Sequence, residues 1–335
     1  MPRAPADSIL SSHRSPVTCV IFHPSFPVMV SGSEDATIKL WDYETGEYER
    51  TLKGHTDTVN SIDFEPVKGK YLASSSADMT IKIWDFTSAD FECLKTLKGH
   101  DHNVSSVRFL NSDSIVSASR DKTIKIWQVE SGFCTKTLDN GHQDWIRKVM
   151  PSPCRKLMAS CSNDQTIKVW DVEKFDIKYD LRDHEHVVED VIWANFNSYQ
   201  YIESAVSSNT NQANGDASSL PNGTSSTSSP SMSSPISSSS NNIVNNGASI
   251  SNDQPVSQRP SRYLVSASRD KSIKFWDINN SSVLFTLMGH DNWVRQLRFM
   301  PHGRFLLSCA DDKSIKSLGL GGFVMFVFIT SYTYF

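Results

Sequence analysis

The stretch Ser117–Gln128 reads SASRDKTIKIWQ, and five near-copies of it occupy Ser31–Asp42 (SGSEDATIKLWD), Ser74–Asp85 (SSSADMTIKIWD), Ser160–Asp171 (SCSNDQTIKVWD), Ser266–Asp277 (SASRDKSIKFWD) and Ser308–Gly319 (SCADDKSIKSLG). A histidine precedes each copy, at His13, His55, His100, His142, His184 and His290, with gaps of 42, 45, 42, 42 and 106 residues. Between histidine and copy lies a short run such as VTCVIF (Val17–Phe22), VNSIDF (Val59–Phe64), VSSVRF (Val104–Phe109) or VRQLRF (Val294–Phe299). These runs alternate apolar and polar residues with period two, as a half-buried strand requires. The aspartates Asp35, Asp78, Asp121, Asp164, Asp270 and Asp312 stand where a tight turn joins the second strand to the third, because a short carboxylate can bond its own backbone there.

A period of about 40–45 residues with Gly-His and Trp-Asp marks the four-stranded blade of a β-propeller. The expected fold is all-β, with no convincing helical period. After an N-terminal segment, 1–12, the propeller spans 13–318 in units 13–53, 54–98, 99–140, 141–182, 183–288 and 289–318. The fifth unit carries a surplus centred on Glu203–Gln258. Nineteen of its 56 residues are serine and none is aromatic, so it buries too little apolar surface to offset its ordering entropy, and a disordered Ser/Asn-rich loop over 203–260 is expected. Within it, Ser229-Pro230 and Ser234-Pro235 are weak candidates for phosphorylation. In the sixth unit Leu318-Gly319 replaces Trp-Asp, so the repeat is expected to be incomplete and 319–335 to form an off-pattern apolar tail.

Composition narrows the function. The 335 residues carry 33 basic and 37 acidic side chains, a net charge of −4 without a Lys/Arg run, which argues against nucleic-acid binding through bulk positive charge. Six scattered cysteines without a CxxC pair argue against a zinc cluster. The longest apolar stretch, Phe323–Thr330, is well short of the roughly 20 residues of a membrane helix, so no membrane span is expected. With no signal peptide at its start, the chain is expected in the cytoplasm.

A His, Ser and Asp in every unit resemble a hydrolase triad, but a catalytic site occurs once and this set recurs six times. The expectation is a structural network in which the histidine bonds the turn aspartate and a strand serine and tryptophan complete it. Its members include His55, Ser74, Asp78 and Trp84; His100, Ser117, Asp121 and Trp127; and His142, Ser160, Asp164 and Trp170. No enzyme activity and no cofactor are expected. Two positions are not uniform. The second residue of the first strand is Thr18, Asn60, Ser105, Arg147, Glu189 and Arg295 in unit order. The residue before the turn aspartate is Glu34, Ala77, Arg120, Asn163, Arg269 and Asp311. Arginines thus gather in units three to six, and Trp145 and Trp293 each stand two residues before an arginine. These residue types are enriched at interface hot spots, whereas exposed pairing with nearby carboxylates is the plainer reading.

The motifs GHDHNVSS (Gly99–Ser106), SASRDKTIKIW (Ser117–Trp127), SCSNDQTIKVW (Ser160–Trp170) and GHDNWVR (Gly289–Arg295) resemble a family of WD-repeat propellers, the lissencephaly-type regulators of cytoplasmic dynein. That nuclear-distribution family includes the noncatalytic β subunit of platelet-activating-factor acetylhydrolase. The resemblance runs from Ser12 to Lys316 apart from the insert. It implies a scaffold that binds the dynein motor domain in microtubule-based transport, nuclear migration and spindle positioning. It also implies coiled-coil nuclear-distribution proteins and acetylhydrolase catalytic subunits as partners, and a place on microtubules and at the centrosome. Membership of an acetylhydrolase complex, or a truncated product with impaired function, are the alternatives. The family's motor-binding positions match Arg120, Arg147, Arg269, Trp293 and Lys313, and the repeat comparison adds Trp145 and Arg295. The family has seven blades and an N-terminal dimerisation region; six repeats beginning near residue 13 imply an open or distorted ring and no homodimer by that route.

Overall fold

The computed structural model describes residues 10–88, 90–215, 260–320 and 324–328, and of 208–215 and 324–328 only the path of the backbone. Six four-stranded antiparallel sheets follow one another along the chain, one blade for each repeat. The inner strands of blades one to six are Val17–Phe22, Val59–Phe64, Val104–Phe109, Ile146–Pro151, Val188–Trp193 and Val294–Phe299. Each packs against the next, and together they line a central channel. The core lies between blades: Val59, Ile62 and Phe64 of blade two pack on Val30, Ile38, Leu40 and Leu52 of blade one.

The turn between second and third strands explains the aspartate. Thr80 donates to Asp78 Oδ1 through its backbone N–H at 2.9 Å and its hydroxyl at 2.6 Å. The residue between them, Met79, sits at φ +67°, as do its counterparts Ala36, Lys122, Gln165, Lys271 and Lys313 at +63° to +70°. A left-handed conformation is unfavourable for residues with a Cβ, and the carboxylate's bonds across the turn offset that cost.

Among the described residues the ring is open between blades six and one. On the inner strand of blade one, Val17, Val20 and Phe22 are 51, 44 and 58% exposed, whereas Val59, Ile62 and Phe64 at the same positions of blade two are 0, 3 and 5%. At the far side Ile315 is 39% exposed, against 1% for its counterpart Ile38. Among the described residues, sixth and first inner strands do not pack on each other as the five neighbouring pairs do.

Two expectations need correction. The fifth unit does not leave the sheet directly as a loop: a 3-10 turn, Phe196–Ser198, leads into a helix, α1, over Tyr199–Gly215. Its apolar content is too sparse for a clear period; Ile202 and Ala205 are buried against Tyr263, and packing holds it. The rest of the insert, including Ser229 and Ser234, lies outside the described residues. The sixth blade is not short of a strand either: Val324–Phe328, in the apolar tail, pairs with Ile315–Gly319 from Ile315↔Phe328 to Gly319↔Val324. No helix among the described residues is long and apolar enough to cross a membrane.

Candidate partner-binding face

Two layers of polar side chains meet where the inner strands begin. The deeper one is the repeated network. In blade two, His55 Nδ1 lies 2.8 Å from Asp78 Oδ2, His55 Nε2 lies 2.8 Å from Ser74 Oγ, and Trp84 Nε1 donates to Ser74 Oγ at 2.9 Å. For a neutral imidazole the partners select one tautomer: the indole donates to the serine, the serine hydroxyl to Nε2, and Nδ1–H to the carboxylate. Blade three repeats this with His100, Asp121, Ser117 and Trp127, and blade four with His142, Asp164, Ser160 and Trp170. Blades one and five do the same through His13 and His184. In blade six Leu318 stands in place of the tryptophan, and His290 keeps its bonds to Asp312 and Ser308. Burial alone would raise the Asp121 carboxyl, but hydrogen bonds from His100 and Thr123 hold it far below the usual carboxylate range. Asp78, Asp164 and Asp270 are depressed in the same way. The serines Ser74, Ser117, Ser160 and Ser266 are completely buried, so none can reach a substrate carbonyl.

The outer layer forms the mouth of the channel. The residue before each turn aspartate donates its backbone N–H to the start of the inner strand, as Arg120 does to Asn103 O and Asp311 to Trp293 O. This brings the two variable positions of every blade together. Arg120 of blade three stacks on Trp145 of blade four, 4.7 Å from the ring centre, with Arg147 on the same ring at 6.0 Å. Arg269 of blade five stacks on Trp293 of blade six at 4.3 Å, with Arg295 at 5.1 Å. His102 and His186 lie beside the two indoles at 6.1 and 6.3 Å. Lys313 is exposed in the turn two residues past Asp311. All seven candidate residues thus stand at one end of the ring, in blades three to six.

The two stacks differ in their carboxylates. Glu189 Oε1 accepts from Arg269 Nε and, at 3.2 Å, from Arg295 Nη1; Arg295 also grips Asp311 through two bonds of 2.7 and 2.6 Å. Arg147 donates through Nε to the neutral Asn163 Oδ1 at 2.6 Å and approaches Glu189 only to 3.9 Å. Burial pulls Arg147 below the usual guanidinium range, Glu189 opposes this, and Arg269 and Arg120 push it further. Sequence reasoning placed Glu189 at the mouth without giving it a role. Its ring neighbours at the same position, Arg147 and Arg295, were the available signal. One step deeper, Lys148 pairs with the buried Asp190, whose other oxygen accepts from Leu297 N at 2.8 Å.

The repeat is matched by the family model for the WD domain, G-beta repeat, over residues 7–42, 46–85, 91–128, 132–171, 249–277 and 281–317. The chain belongs to the WD-repeat family. Within that family it is similar to the nuclear distribution protein PAC1 of Coccidioides posadasii (strain C735), 41% identical over 94% of this chain and 59% of that protein. The PAC1 protein of Tuber melanosporum (strain Mel28) is 43% identical over 94% of this chain and 61% of its own length. The nuclear distribution protein nudF 1 of Talaromyces marneffei is 37% identical over 94% and 60%. This WD-repeat chain therefore spans about three fifths of the length of these relatives.

Proposed function

We propose that this propeller is a non-catalytic interaction module that binds the cytoplasmic dynein motor domain through the Arg/Trp face and so acts in nuclear migration, spindle positioning and microtubule-based transport. The observation that carries the reading is the pair of Arg–Trp–Arg stacks at one end of the ring. The names of its relatives, nuclear distribution proteins, support it. Aromatic and guanidinium anchors of this kind bind acidic and apolar surface patches. Contacts made better in one motor conformation than another would shift the motor's population. Arg120, Trp145, Arg147, Arg269, Trp293, Arg295 and Lys313 form the contact set. Coiled-coil nuclear-distribution proteins and acetylhydrolase catalytic subunits are further partners on this reading, and the cytoplasm, with microtubules and the centrosome, is its place of action.

The test is a titration of the chain against a dynein motor domain, beside a variant carrying Arg269→Ala and Trp293→Ala, with circular dichroism on both. Two hot-spot truncations together cost on the order of 2–5 kcal/mol, at least about thirtyfold in dissociation constant. Unchanged affinity in the folded variant would remove the face from the mechanism.

A further inference from the structure

The two arginine–tryptophan stacks are built on equivalent positions of the repeat. Arg120, Trp145 and Arg147 correspond to Arg269, Trp293 and Arg295. By the same correspondence the place of Glu189 is taken by Ser105, and that of Asp311 by Asn163. The second stack therefore carries two carboxylates of its own, each held by the guanidinium groups. The first has no carboxylate bonded to its guanidinium groups: Asp144 turns its own to the Trp145 backbone N–H at 2.7 Å, and Glu189, 3.9 Å from Arg147, is engaged by Arg269 and Arg295.

What stands at the first stack instead is a cleft of about 170 Å³, lined by Asn60, Asn103, Ser105, Arg120, Arg147 and Glu189 with Ile146. Donors converge on it. Among the described residues the Arg120 guanidinium has the Trp145 ring as a neighbour and no hydrogen bond or ion pair. Arg147, which lines the cleft, uses Nε on Asn163 and has Nη1 3.9 Å from Glu189. The Asn103 side chain accepts from Asn60 Nδ2 at 2.8 Å, which keeps its own amide N–H group in reserve. The Ser105 hydroxyl is turned away, onto Ala118 O at 3.0 Å and Ile146 O at 2.5 Å. Two half-buried guanidinium groups flanking one indole, with Glu189 3.9 Å from Arg147 alone, form an under-compensated site for a planar anion.

We infer that the cleft beside Arg120 is a carboxylate-binding subsite that receives an acidic side chain of the protein partner, at the position filled from within by Glu189 in the second stack. The second stack shows what this arrangement of arginines takes up. The inference rests on the reading of the Arg/Trp face as the partner surface, and it assigns different tasks to its halves. The Trp145 half supplies charge recognition, and the internally neutralised Trp293 half supplies an aromatic anchor.

Two variants and one small probe test it. Ser105→Glu supplies the missing carboxylate from the chain itself, and Ser105→Gln matches it in size without the charge. Ser105→Glu is expected to bind the motor domain at least about tenfold more weakly than Ser105→Gln, both checked for folding by circular dichroism. Equal affinities would overturn the assignment. Separately, acetate is titrated into the wild-type chain while the side-chain Nε–H resonances of Arg120 and Arg269 are followed by NMR. A saturable shift at Arg120, small at Arg269 and absent in Ser105→Glu, is expected; no shift at Arg120 would overturn the subsite. The acetate result stands whether or not the motor domain binds, so failure of the partner reading and failure of the subsite are distinguishable.

Discussion

The buried belt of His, Ser, Asp and Trp and the mouth of the channel are only a few residues apart in every blade, yet they follow opposite rules. In the belt every donor meets an acceptor inside its own blade, and five blades use the same four side chains at nearly the same distances. At the mouth the side chains reach across to the next blade, and only blades one to three repeat the contact, Thr18, Asn60 and Ser105 each donating to the carbonyl that opens the next inner strand. Asn60 donates to Val104 O at 2.9 Å and Ser105 to Ile146 O at 2.5 Å, whereas Arg147, Glu189 and Arg295 form a charged arc. Positions that satisfy a need common to all blades are constrained alike. Positions free of that need can differ, and the proposed contact set is drawn from them.

That contrast can be broken most severely just below the mouth, where Asp190 belongs to structure although it is charged. Asp190→Ala leaves Lys148 buried without its partner and strips Leu297 N of its acceptor. A loss of about 3–5 kcal/mol is expected in urea unfolding. Next comes the belt itself. Ser117→Ala removes the partner of both His100 and Trp127 in a fully buried site. It should cost about 2–3 kcal/mol while leaving motor-domain affinity per folded molecule unchanged; a loss of affinity at full folding would blur the two layers. The pH dependence gives a smaller handle. Because the folded Asp121 carboxyl is depressed, its contribution is complete above the unfolded value near 4 and is lost as the pH falls toward the folded one. The difference in urea midpoint between wild type and Asp121→Asn should therefore narrow as the pH falls below 4. Smallest of all, Arg120→Gln should change stability by no more than about 1 kcal/mol, since among the described residues that guanidinium stacks on Trp145 and makes no hydrogen bond or ion pair. A larger change would mean that the mouth also carries structure.

The belt was legible residue by residue because its four side chains recur at fixed offsets, and so were the blades. The mouth was half legible. Aligning the units put Arg120, Arg147, Arg269 and Arg295 in one arc, but which guanidinium was already neutralised depends on distant pairing, since Glu189 meets Arg269 of its own unit 80 residues on, across the insertion, and Arg295 of the next unit 106 residues away. Helix α1 escaped detection because two buried side chains, Ile202 and Ala205, suffice to hold it on the sheet. The fourth strand of blade six escaped because an outer strand joins its neighbour through main-chain bonds, which the loss of Trp-Asp does not remove.

The insertion in the fifth blade bears on the order in which the ring assembles. His184 and Asp270 must meet across 86 residues, whereas His142 and Asp164 meet across 22. A nearly fourfold longer loop adds about 1 kcal/mol of closure entropy, and contacts between distant residues form slowly. Blade five is thus expected to zip last among those that flank it. The cost does not spread, because Tyr199 Oη accepts from Arg262 N at 2.8 Å and the insertion leaves and re-enters the sheet at one point. Asn195 and Asn197 then tether that point to the Met300 and Pro301 carbonyls of blade six, both at 3.1 Å, so late closure of one blade and docking of the next become a single event.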